Sequence, residues 1–128
     1  MLIFAVDDSP ILDADTLLRV AQAEFGADYA RLTHSDSPYL DFQVQIEPPD
    51  APSFRIGRAP DGSLNTDGTE AQGTRVAAAV RAALPEDYPR VVAVTVGAST
   101  YVDLVPGITP EMIRNRCRDV SEGGFENL

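Results

Sequence analysis

Leu40, Phe42, Val44 and Ile46 alternate with Asp41, Gln43, Gln45 and Glu47. Successive side chains on a strand point to opposite faces, so this stretch predicts a strand with one face on a core and one in water. Ser53 to Arg58 repeats the pattern, with Phe54 and Ile56 inward and Arg55 outward. Ser63 to Thr66 follows the Pro60-Asp61-Gly62 turn as a return strand. Leu2 to Val6 is an unbroken apolar run, as expected of a strand buried on both faces, and the valine-rich run Arg90 to Val96 reads as a central strand. Tyr29 to Thr33 predicts a further short strand. Tyr101 to Val105 predicts a hairpin partner for residues 90–96 through Gly97-Ala98-Ser99.

Three stretches carry helical spacing instead. Leu18, Ala21 and Phe25 recur at i, i+3 and i+7, with Asp13 or Asp15 as cap and Gly26 as stop. Thr69 and Gln72 have capping-box spacing ahead of the stripe Val76, Val80, Ala83 and Leu84, which Pro85 ends. Thr109-Pro110-Glu111 supplies a cap, a first-turn proline and an acid for a last short helix, with Ile113, Cys117 and Val120 as its stripe. The predicted order is β-α-β-β-β-α-β-β-α. That is an α+β fold, a two-layer sandwich of a mainly antiparallel sheet with helices packed on it. The chain has 128 residues. Residues 1–120 are expected to form one globular domain and 121–128 a frayed tail.

Charge alters this picture more than composition does. The chain holds 20 acids and 10 bases, a net charge of −10, and every base is arginine. Without lysine there is neither a Walker loop nor Schiff-base chemistry. One Cys and one His exclude a Cys/His zinc site and an internal disulfide framework. Excess acid argues against binding to a nucleic-acid backbone or an anionic membrane surface. No apolar run approaches the ~20 residues of a membrane span. No basic region precedes Leu2-Ile3-Phe4, so no secretory signal is expected and the location reads as cytoplasmic. Arginine-only usage with abundant alanine points to a GC-rich bacterial source. The acid is also concentrated. Residues 1–50 hold ten acids against Arg19 and Arg31, a net −8, and the remainder carries −2.

Val6-Asp7-Asp8-Ser9-Pro10, an acidic pair closing a first strand, resembles the opening of a response-regulator receiver domain over about the first 25 residues. That family also uses a lysine after its fifth strand and doubly buried strands throughout. This chain has no lysine, and its strand at 40–47 is half polar, so the resemblance carries no assignment. His34 lies in a turn with Ser35, Asp36 and Ser37, too local for a catalytic relay. Cys117 falls on an apolar stripe and reads as a small buried hydrophobe. Gly68-Thr69 opens a helix that could hold an anion. Arg55, Arg58, Arg75, Arg81 and Arg90 are expected to form surface ion pairs with the acidic half, or to anchor an interface.

No catalytic residues, metal ligands or cofactor are expected. Asp7, Asp8, Asp13 and Asp15 suit a helix N-terminus, and together with Asp36 and Asp41 they form the expected partner-binding face. The function this predicts is a non-catalytic acidic domain that binds or inhibits a basic protein, most concretely an immunity protein neutralising a bacterial toxin. One alternative is a divalent-metal-dependent hydrolase or phosphoryl-transfer enzyme using Asp7 and Asp8 with Asp103 or Asp41. Another is an oligomerising scaffold that buries the outward face of a strand.

Overall fold

A computed structural model describes residues 1–34, 36–95 and 100–119. Its elements run β1 Leu2–Ala5, α1 Ala14–Phe25, β2 Ala30–Thr33, β3 Phe42–Ile46, β4 Phe54–Arg58 and β5 Leu64–Thr66, then α2 Glu70–Ala82, β6 Val91–Thr95, β7 Thr100–Asp103, α3 Pro110–Arg116 and β8 Arg118–Asp119. The strands form one sheet in the order β2-β3-β4-β5-β1-β6-β7-β8, and every neighbouring pair is antiparallel. The α+β fold with a mainly antiparallel sheet is thus as expected. All four stretches read as strands between α1 and α2 form strands, one more than the predicted order counts there, and the structure adds β8 after α3.

Local chemistry explains the helix boundaries. Asp13, not Asp15, caps α1, and its Oδ1 accepts from Thr16 N at 2.8 Å. Gly26 ends α1 at φ +110°, where a Cβ would lie 2.5 Å from Tyr29 Cδ2. Both arms of the α2 capping box form: Thr69 Oγ1 accepts from Gln72 N, and Gln72 Oε1 accepts from Thr69 N. Thr109 caps α3, with Pro110 in its first turn.

All three helices pack on one face of the sheet. Ile3, Ala5, Val44, Ile46, Phe54, Ile56, Leu64 and Ala93 meet Leu17, Ala21, Val76, Ala77, Val80 and Ile113 in a single core. Phe25 and Phe54 pack edge to face, with centroids 5.2 Å apart. The opposite face is apolar on β1 and β6, where Leu2, Phe4, Val92 and Val94 align through the ladder, and polar at Gln43, Arg55 and Asn65. β6 is the central strand expected, with Val91, Val92 and Ala93 all buried, whereas on β1 Leu2 and Phe4 are only half-buried.

Three local expectations are corrected. Leu40 does not continue the inward set of β3. A turn precedes Phe42, and Leu40 lies across Gly57 on the opposite face, 2.8 Å from where a Cβ would stand. Leu17 rather than Leu18 is the fully buried leucine of α1. Cys117 is an exposed helix C-cap rather than a core residue. Residues 96–99, Val120 and 121–128, which carry the expected hairpin loop, the last stripe position and the tail, lie outside the described residues.

Candidate functional site

The antiparallel registers place several loops at one end of the sheet. β1 runs towards this end, because Ala5 faces Val91 and Ile3 faces Leu64. The segment after β1, the β4–β5 hairpin and the segment before β6 therefore meet there. Three hydrogen bonds join them: Val6 N to Arg90 O at 2.8 Å, Ile11 N to Gly62 O at 3.1 Å, and Tyr88 Oη to Pro10 O. β2 ends and β3 begins at the same end, since Thr33 faces Gln43.

All six predicted acids lie here. Asp7, Asp8, Asp13 and Asp15 sit together around the end of β1 and the start of α1, and all four are exposed. Asp36 and Asp41 are exposed on the loop between β2 and β3. They are displaced laterally, because β3 stands three ladders from β1, about 14 Å at roughly 4.8 Å per ladder. The fold adds three exposed acids that sequence reasoning left out, Asp61 on the hairpin and Glu86 and Asp87 before β6. Their convergence had no signal in the sequence, since it follows from the strand order.

Of these nine carboxylates, Asp13 feels the nearby charges of Arg19 and Arg58, but without direct contact. Among the described residues none of them is ion-paired. The four ion pairs among the described residues are Arg31–Glu47, Arg55–Asp67, Arg75–Glu24 and Arg90–Asp103. Only Arg75, of the five arginines expected to pair with the acidic half, does so. Arg58 stacks over Phe42 at 5.6 Å, with its Nε buried and unpartnered among the described residues. Arg81 is 3% exposed. Its Nε donates to Leu104 O at 3.0 Å, Nη1 to Leu84 O and Pro85 O at 3.3 and 3.1 Å, and Nη2 to Glu86 O at 3.3 Å. Rather than sitting on the surface, Arg81 ties down the backbone that presents Glu86 and Asp87.

Backbone detail fixes several of the acids. Asp8 adopts φ +66°, a conformation that aspartate tolerates better than most side chains, and its N donates to Ala5 O at 3.0 Å. Hydrogen bonds, first from the side chain and then from the backbone, hold three carboxyls below their ordinary 3.8: Ser9 acts on Asp7, Thr16 on Asp13 and Ser63 on Asp61. Burial first, and the nearby Asp7 charge second, push the Tyr88 hydroxyl up.

The Asp13 shift has a definite sign. A depressed folded-state value contributes stability above the unfolded value near 3.8, and that stability is lost as pH falls through the folded value. Asp13→Asn keeps a capping acceptor but does not titrate. Wild type should therefore lose Tm faster than Asp13→Asn on acidification below about pH 4, with parallel curves above about pH 5. Melting curves across that range test this, and identical acid limbs would rule out the cap as the titrating contributor.

Other candidate chemistries are not assembled. Among the described residues no three His, Cys, Asp or Glu side chains come together as a metal-holding group. Asp103 is engaged by Arg90, and Asp41 lies the three ladders away. His34 is exposed on its loop. Cys117 borders a cavity of about 510 Å³ with Tyr101, Asp103 and Arg116, and burial of its thiol pushes the pKa up, away from a reactive thiolate. The α2 N-terminus is closed by its own capping box and flanked by Asp67 and Glu70, which disfavours the anion expected there. Among the described residues no helix is long and apolar enough to cross a membrane. No protein-family model, curated protein or solved structure matches this chain.

Proposed function

We propose that this chain is a non-catalytic acidic binding domain whose loop-built sheet end occupies a basic surface on a partner protein. The most concrete form is an immunity protein that neutralises a bacterial toxin in the cytoplasm. One observation carries the reading: nine exposed carboxylates share one end of the sheet, and none is ion-paired among the described residues. Three of the four ion pairs among the described residues lie towards the other end, and the nine acids outnumber the arginines beside them, Arg19, Arg58 and Arg90. A fixed field of one sign draws in a complementary partner and accelerates association at low salt.

The test uses the wild-type chain and an Asp7→Asn/Asp8→Asn/Asp15→Asn/Asp61→Asn variant as baits in a lysate of the source organism. Asp13 is left intact because it caps α1. Wild type should capture a basic protein that the variant does not. The association rate with that protein should fall by about tenfold or more between low and high salt. Equal capture by both baits, or a salt-independent rate, would overturn the proposal.

A further inference from the structure

The outward edge of β2 is only partly taken up: Ala30 O accepts from Gln22 Nε2 of α1 at 3.4 Å, but among the described residues nothing takes up the backbone groups of Leu32. Tyr29 O accepts from Glu47 N at 2.8 Å, so Tyr29 points at β3, and by alternation so do Arg31 and Thr33. Leu32 N–H and C=O therefore point away from the sheet. Large apolar side chains gather at the same place. Of the four large hydrophobics exposed among the described residues, Tyr29, Leu32 and Tyr39 flank or occupy β2, at 40, 43 and 78% exposure. Leu32 shares its face with Ala30 and Val44, both buried, so the core face reaches this edge and is open there at Leu32. β2 contains no proline, and its one charged side chain, Arg31, is ion-paired with Glu47 at 3.5 Å.

We infer that β2 pairs antiparallel with β2 of a second copy, joining the two sheets about a two-fold axis. Facing residues of an antiparallel pair lie on the same face, so the axis must pass beside a single residue. Centring it on Arg31 sets two like charges against each other, which disfavours that register. Centring it on Leu32 pairs Leu32 with its own copy through two reciprocal backbone hydrogen bonds, extends the core face across the junction and sets Arg31 against Thr33. It also brings Tyr29 of one copy towards the other's loop after β2, where Tyr39 stands. So short an edge falls below a standard interface, which makes association weak and dependent on concentration. Each copy carries −10, so added salt tightens this contact, opposite to its effect on the acidic end.

Analytical ultracentrifugation from low micromolar to near-millimolar concentration tests the inference. Wild type should pass from monomer towards dimer, and Leu32→Lys should weaken the dimer by about tenfold or more. Circular dichroism confirms that the variant is folded. In a Cys117→Ser background, Leu32→Cys should form disulfide-linked dimers under mild oxidation, because facing Cα atoms about 5.5 Å apart suit a disulfide. Arg31→Cys, which this register does not place beside itself, should do so about tenfold more slowly. A wild-type chain that stays monomeric throughout, a dimer indifferent to Leu32→Lys, or equal cross-linking at 31 and 32 would each overturn the inference, the last by excluding the register.

Discussion

Arg81→Met is expected to lower the free energy of unfolding by about 3–5 kcal/mol, the largest effect of any single substitution considered for this chain. The guanidinium is buried and donates to four backbone carbonyls, from Leu84, Pro85, Glu86 and Leu104. Methionine fills similar space but donates nothing, so those carbonyls lose a charge-assisted partner in a region with little access to water. The charge itself is favoured by its place in the last turn of α2, where the helix dipole is negative. Arg81→Lys should recover only part of the loss, since a single ammonium cannot reproduce the planar fork. Urea titration measures the difference, which corresponds to a Tm drop of about 10–20 °C for a domain this size. Hydrogen exchange should show added opening at 84–90, the segment that carries Glu86 and Asp87. A variant within about 1 kcal/mol of wild type would mean that water or a rearranged chain satisfies those carbonyls.

Gly62→Ala is expected to cost about 2–4 kcal/mol. Gly62 sits in the β4–β5 hairpin at φ +90°, and a Cβ there would lie 2.5 Å from Pro10 Cα. The obstruction is backbone, so it cannot be relieved by rotating a side chain. The strand-end segment from Asp7 to Ile11, which leans on this hairpin through the Ile11 N to Gly62 O bond, would have to lift away. Gly107 provides the control. It has φ +79°, but nothing stands within 4 Å of its would-be Cβ. Gly107→Ala should therefore show backbone strain alone, about 1–2 kcal/mol. Equal losses at the two positions, measured by denaturant unfolding, would show that the close approach of Pro10 to the hairpin contributes nothing.

Local sequence was enough to read the elements because their determinants are local. Thr69 and Gln72 stand three residues apart and close a capping box wherever the helix lies. Phe42, Val44 and Ile46 alternate and must share a face. Asp13, Gly26 and Thr109 mark helix ends through their own side chain or backbone preference. Where those signals failed, a longer-range contact had intervened. Leu40 keeps the parity of β3 but is turned to the other face over Gly57, a residue of the neighbouring strand.

The sequence by itself determined that this is a lysine-free, acidic α+β chain, with its acid concentrated in the first 50 residues and no cysteine or histidine set for metal or disulfide chemistry. Only the tertiary structure decided where that charge acts. Inserting β1 between β5 and β6 brings Asp61, Glu86 and Asp87 beside Asp7 and Asp8, although up to 80 residues of chain separate them. The same packing buries Arg81 on carbonyls and leaves Leu32 on an open edge. Charge and periodicity are properties of neighbours along the chain, whereas pairing, burial and edge position depend on which strands meet, and that is set by the packing of the whole sheet.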